Sequence, residues 1–129
     1  MRDKTTEWFL RIALSAGFLS AVADRLGLWS KANSAWGNWD NFLAYTGQLM
    51  PWLPGPLLNA AAIIATAAEL ILGIVLLVNF KTRLIAIASG ILLLLFAIAM
   101  TFSLGIKAPL NYSVFAASAA AFALSAQKK

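Results

Sequence analysis

Glu69 is the one charge in a run of apolar residues that extends from Leu57 to Asn79. If that run is a helix, a rise of about 1.5 Å per residue puts the carboxylate ~15–18 Å from either end. That is the middle of a bilayer. An ionised group there costs at least ~2.5–3.5 kcal/mol on insertion scales, so it needs a counter-charge, a cavity or a proton. Arg11 and Arg25 are the candidate counter-charges. They are a whole number of heptads apart and share a helical face with Ser15, Phe18 and Val22. By the same rise they lie ~10 Å and ~13 Å from the level of Glu69, within the bend of a long side chain. Asp24 offers Arg25 a local partner instead, and Arg11, near a helix end, can snorkel to the surface. Ala62, Thr66, Glu69 and Gly73 form one small, polar stripe at helical spacing, which predicts a face turned to the protein interior. Two chemistries fit these residues. Either paired charges fix the register of the helices, or Glu69, Thr66 and an arginine line a polar pocket that takes a proton or a ligand.

The chain has no Cys and no His. Thiol redox chemistry, thiolate metal sites, His-ligated haem and a His general base are therefore excluded. No cofactor motif is present, and the sequence reads as non-catalytic by itself.

The elements that must position these residues are membrane helices. Of 129 residues, 61% are hydrophobic and 12% charged, with a mean hydropathy of +0.80. Soluble domains carry about 25% charged residues, and a core this small cannot hide so much apolar surface. Spanning the hydrocarbon takes about 20 mostly apolar residues. Four segments qualify, at about 8–28, 57–79, 84–106 and 110–126, as one domain over 1–129. The last is short and rich in Ala and Ser, so it leans on its neighbours through close small-residue contact. Pro109 suits its first turn, and Phe80–Arg83 makes a tight turn between the second and third segments. The expected fold is an all-α four-transmembrane-helix bundle.

The only long connection runs from Trp29 to Pro56 and holds four of the five Trp residues: Trp29, Trp36, Trp39 and Trp52. It ends in Pro51-Trp52-Leu53-Pro54-Gly55-Pro56, which cannot continue a helix. Asp40 is placed to cap a short helix with Phe42, Leu43, Leu49 and Met50 on one face. Trp and Tyr favour the headgroup level, so this segment is expected to lie on the outer leaflet as a lid. Trp36 and Trp39, with Asn111 and Tyr112 beside Lys107, are candidates for an outer mouth. Outside the spans, Arg2, Lys4, Lys81, Arg83, Lys128 and Lys129 fall on one side, against Lys31 and Lys107 on the other. This bias places both termini in the cytoplasm of a cell whose inner membrane holds the protein. The basic residues sit at segment edges and form no stripe, which argues against nucleic acid as a partner. Ala21-Val22-Ala23 before Asp24 also resembles a signal-peptidase site, which would remove the first helix. Arg11 within the apolar region, and Asp3 and Glu7 in the basic start, argue for retention.

With these residues in view, the chain resembles the DoxX family of small bacterial membrane proteins. The likeness lies in Arg11-Ile12-Ala13-Leu14 with Gly17-Phe18 and Arg25, in Glu69-Leu70-Ile71-Leu72-Gly73, and in Phe80-Lys81-Thr82-Arg83. The closing stretch from Gly105 to Ser113, with Lys107, Pro109, Asn111 and Tyr112, is similar to one branch of that family. The Trp-rich connection departs from it. The resemblance implies a four-helix membrane fold and an accessory or quinone-associated role in a membrane redox or oxidative-stress system. A quinone is then the cofactor to consider, with the lipid bilayer, other redox subunits and further copies of the chain as partners. The alternatives are a small proton-coupled transporter or channel using Glu69, and an assembly partner that docks on the small face Ala86, Ser89 and Gly90.

Overall fold

The computed structural model describes residues 3–127. Arg2, Lys128 and Lys129, used above for orientation, lie outside the described residues. Among those described, the chain is helical and contains no strand. The helices are α1 (Lys4–Arg25), α2 (Trp39–Leu49), α3 (Gly55–Leu77), α4 (Thr82–Leu104), α5 (Lys107–Asn111) and α6 (Val114–Gln127).

Each boundary has a local cause. α1 starts earlier than its apolar run because the Asp3 carboxylate accepts hydrogen bonds from the Thr5 and Thr6 amides. It stops at Arg25, short of the expected Leu28. Gly27 adopts φ +74°, and the amides of Gly27 and Leu28 turn back to the carbonyls of Asp24 and Ala23. A side chain at Gly27 would also press on the Gly37 carbonyl oxygen, 3.1 Å from an added Cβ. α3 begins directly after Pro54, with Pro56 in its first turn where no amide donor is needed. α4 follows Lys81, which takes a left-handed conformation in the turn.

Two expectations are corrected. The last segment is not one helix over 110–126, because Ser113 sits at φ 58° between α5 and α6. Pro109 occupies the first turn of α5, not of the longer helix. In the connection, Asn38 rather than Asp40 caps α2, its side chain accepting from the Asn41 amide at 2.8 Å. Asp40 lies in the first helical turn, where a negative charge suits the helix dipole.

The long helices pack as two pairs, α1 on α3 and α4 on α6, joined by contacts of α1 with α6 and of α3 with α4. The shared core holds Leu14 and Phe18 of α1, Leu72 and Leu76 of α3, Ala86 of α4, and Ala121 and Leu124 of α6. α3 and α4 are each long and apolar enough to cross a membrane, and only 28% of the most apolar stretch of either is buried. The surface is inverted relative to that of a water-soluble domain. Phe9, Ile64, Ile71 and Phe102 are exposed, whereas Glu7, Arg11, Arg25 and Glu69 are almost fully enclosed.

Candidate functional site

α1 and α3 run antiparallel, with three side chains of α1 reaching α3 at successive levels. Near the start of α1, Arg11 donates from Nε to the Leu76 carbonyl at 2.7 Å and from Nη2 to the Val78 carbonyl at 2.6 Å. These acceptors belong to the last turn of α3 and the residue after it, where carbonyls lack helical partners and the dipole is negative. The Trp8 ring covers the same guanidinium at 4.2 Å, and Glu7 sits one turn earlier on the same buried face. Further along, the Ser15 hydroxyl donates to the Gly73 carbonyl at 2.6 Å. An added Cβ at Gly73 would fall 2.9 Å from a Leu19 methyl, so the missing side chain is what admits α1 so closely.

Arg25 closes the series and meets Glu69. Nη1 lies 2.9 Å from Glu69 Oε2, and Nη2 donates to Oε1 at 3.1 Å. Nη1 also donates to the Thr66 hydroxyl at 2.9 Å, and that hydroxyl in turn donates to the Ala62 carbonyl at 2.8 Å. The Phe42 ring lies 3.8 Å from the guanidinium carbon, with Trp36 beyond it at 5.4 Å. This fork geometry is one that arginine can make and lysine cannot. Both partners are at least nine-tenths buried, and neither Arg25 Nε nor Glu69 Oε2 has a hydrogen-bond partner among the described residues, Oε2 being held by the ion pair alone.

Asp24 does not hold Arg25. Adjacent residues on a helix point about 100° apart, and the Asp24 carboxylate faces the connection. There it accepts from the amides of Ala35 at 2.8 Å, Gly37 at 3.0 Å and Trp36 at 3.3 Å. α2 is thereby fixed over the bundle, and its far end is held by the Ser103 hydroxyl donating to the Leu49 carbonyl at 2.6 Å. Trp36 packs edge-on against Phe42 and beside Tyr45, and Trp39 leans on Phe42 from the other side.

Beneath α2 is a cavity of about 720 Å³ bounded by α1, α3, α4 and the start of α6. Its walls are apolar and aromatic, including Phe18, Phe42, Phe96 and Met100, and its charged groups are Arg25 and Glu69. Trp36 and Tyr112 of the expected mouth line it. Trp39 supports Phe42 without lining the cavity, and Asn111 is exposed at the surface. Arg11 lies away from the cavity and serves the α1–α3 contact. Sequence reasoning missed Phe42 as the guanidinium's cover and Tyr45, Thr46 and Gly17 as wall residues. The inward face of α2 is Phe42, Tyr45, Thr46 and Leu49, whereas Leu43 does not line the cavity. The spacing of those four was the available signal. Burial, with Tyr112 nearby, pushes the Tyr45 hydroxyl up from its ordinary value, so it remains a neutral donor at physiological pH.

The small face of α4 is also accounted for. Phe122 of α6 lies over Gly90, and the Ser118 hydroxyl donates to the Gly90 carbonyl at 2.8 Å. Ala86, Ser89 and Gly90 are covered by the chain itself and offer no docking face.

Scans of protein-family models, curated proteins and solved structures returned no match to this chain.

Proposed function

We propose that this chain is a DoxX-like integral membrane protein that holds a quinone-like molecule beneath the Trp-rich connection, as an accessory subunit of a membrane redox system. In this reading α1, α3, α4 and the α5–α6 unit each cross the bilayer, with both termini cytoplasmic and α2 on the outer surface. Support for the crossing comes from lengths and from the inverted surface. The 22 residues of α1 extend ~33 Å and the 23 of α3 and of α4 ~35 Å, against ~30 Å of hydrocarbon. α6 alone, at 14 residues, reaches ~21 Å and needs α5 to complete the distance. An apolar Phe102 at 87% exposure and a charged Arg11 at 1% make the distribution that a lipid solvent favours.

The observation that carries the ligand reading is the cavity itself: apolar walls, aromatic cover, and one buried ion pair at the polar end. Pockets for small molecules have this composition, with a few polar groups to fix orientation. The DoxX resemblance supports the redox setting. Proton transport by Glu69 has less support, because Arg25 stands in ion-pair contact with the carboxylate and donates to Oε1.

The test is saturable binding of a decyl-substituted benzoquinone to the full chain in phosphatidylcholine nanodiscs. Arg25→Ala is expected to weaken it about tenfold or more. Absence of saturable binding to any benzoquinone would overturn the proposal. The crossing itself is testable in a chain that has no native Cys. Ser34→Cys should react with an impermeant maleimide from outside intact cells, and Arg83→Cys should not.

A further inference from the structure

Six side chains of the cavity wall carry polar atoms: Arg25, Trp36, Tyr45, Thr46, Glu69 and Tyr112. Much of that polarity is already used within the protein. Both Nη atoms of Arg25 are engaged by Glu69 and Thr66, and the Thr46 hydroxyl donates to the Phe42 carbonyl at 2.9 Å. Arg25 Nε and Glu69 Oε2 lack hydrogen bonds but are wholly enclosed, so neither is presented to the cavity. The ion pair therefore acts on the cavity through its field, and its unpaired atoms are out of reach.

The Tyr45 hydroxyl is different. It has no hydrogen-bond partner among the described residues, yet it is not one of the enclosed atoms. Tyr45 stands three residues after Phe42 on the inward face of α2, ~4.5 Å along the helix from the ring that covers the guanidinium. Burial, with Tyr112 nearby, holds its hydroxyl above the ordinary value, as expected of a phenol that faces an apolar space and not open water. Its proton stays in place and has no acceptor within the protein, an omission that is costly unless something else supplies the oxygen. The other two free donors are placed differently. Tyr112 is 73% exposed, so water can satisfy its hydroxyl. The Trp36 indole N–H is unpartnered, but its ring is committed to the guanidinium and to the edge-on contact with Phe42.

We infer that Tyr45 is the residue that recognises the head of the ligand, donating its hydroxyl proton to a carbonyl oxygen held under α2. This rests on the ligand-binding reading above and adds to it the hydrogen bond that fixes orientation. A donor with no acceptor beside it selects for an acceptor. It favours the carbonyl of an oxidised quinone over a hydrocarbon ring of similar shape. Arg25→Ala then acts through the wall, by baring the Glu69 carboxylate, whereas loss of the Tyr45 hydroxyl acts on the ligand directly.

The experiment measures binding of two probes to the full chain in phosphatidylcholine nanodiscs: decyl-substituted benzoquinone, and decylbenzene, which has the same tail and no oxygen. Concentrations are expressed per lipid, so that partitioning cancels. Tyr45→Phe keeps the ring beside Trp36 and removes only the hydroxyl. It should weaken quinone binding about three- to tenfold and leave decylbenzene unaffected. The unfolding midpoint of the ligand-free chain should also stay the same, because no bond within the protein is lost. Tyr112→Phe should change none of the three. Equal quinone affinity in the wild type and Tyr45→Phe, or an equal loss in Tyr112→Phe, overturns the role of Tyr45 while the pocket stands. So does a wild type that binds decylbenzene as tightly as the quinone. A lowered midpoint in Tyr45→Phe would show that the hydroxyl serves the fold, and overturns the inference as well. If no benzoquinone binds, the pocket reading and this inference fall together.

Discussion

In both helix pairs a serine hydroxyl donates to the carbonyl of a glycine on the facing helix: Ser15 to Gly73 between α1 and α3, and Ser118 to Gly90 between α6 and α4. Both glycines are overlaid by a large apolar side chain, Leu19 in one pair and Phe122 in the other. Beyond this shared contact the pairs diverge. The buried residues of α4 and α6 are uncharged, being Thr82, Ala86, Ser89, Gly90, Ala97 and Met100 on one side and Ser118, Ala121, Leu124 and Ser125 on the other. The α1–α3 pair adds the buried charged residues Glu7, Arg11, Asp24, Arg25 and Glu69 to the same framework. Small residues and a hydroxyl bond therefore suffice to hold two of these helices together. Of the charges in α1–α3, Arg11 serves the helix contact itself, whereas the cavity opens beside the Arg25–Glu69 pair.

The comparison can be broken most severely at Glu69. Glu69→Ala leaves Arg25 buried without its partner and should cost ~3–5 kcal/mol, read from thermal or denaturant unfolding in detergent. Arg25→Met combined with Glu69→Met turns the α1–α3 contact into an uncharged one like its counterpart. It should recover most of that stability, since well-packed apolar replacements of buried ion pairs are near neutral, yet abolish benzoquinone binding. A double variant as unstable as Glu69→Ala would mean that the pair is primarily structural.

The opposite dissociation is expected in the other pair. Gly90→Leu would put a Cβ within 2.9 Å of Phe122 ring atoms and should cost ~1–3 kcal/mol by overpacking. Neither Gly90 nor Phe122 lines the cavity, so the quinone affinity should hold. The shared contact makes a smaller prediction. Ser15→Ala and Ser118→Ala should each lose ~0.5–1.5 kcal/mol, and by similar amounts, as the same bond is removed from both pairs.

The smallest effect concerns the end of α1. Hydrogen bonds from the Thr6 side chain and the Thr6 and Thr5 amides hold the exposed Asp3 carboxyl below its ordinary value of 3.8. A depressed folded value means that the cap stabilises α1 fully above the ordinary carboxylate range and loses its effect as pH falls through the lowered value. Asp3→Asn should flatten that acid dependence in amide exchange at the first turn of α1, while α6 shows none in either variant.

The apolar runs that became α3 and α4 were legible because length and hydropathy decide them, and Glu69 was legible because nothing else in its run is charged. Which arginine meets it was not. Rise along the helix placed Arg11 nearer in level than Arg25, but the reverse pairing is found. Arg11 is occupied by the free carbonyls at the end of α3, a set of acceptors that a sequence does not display. The exit of α1 is marked by Gly27, whereas the break before α6 falls on Ser113, a residue that does not announce a left-handed conformation. Asp24 was equally opaque. Its partners are three backbone amides, which every residue type provides.

On the four-span reading, the Arg25–Glu69 pair also bears on how the chain is made. The two partners are 44 residues apart, so α1 leaves the ribosome well before its counter-charge exists. Released into lipid alone, it would carry Arg25 without the Glu69 carboxylate and Arg11 without the α3 carbonyls that receive it, with Glu7 one turn away as the only acid on that face of α1 near Arg11. Each exposed charge at depth opposes insertion by a few kcal/mol. α1 is therefore a poor independent substrate for the insertion machinery and a good one when α3 arrives beside it. Biogenesis of this small protein should proceed by delivering the two helices together, with the ion pair as the condition for release.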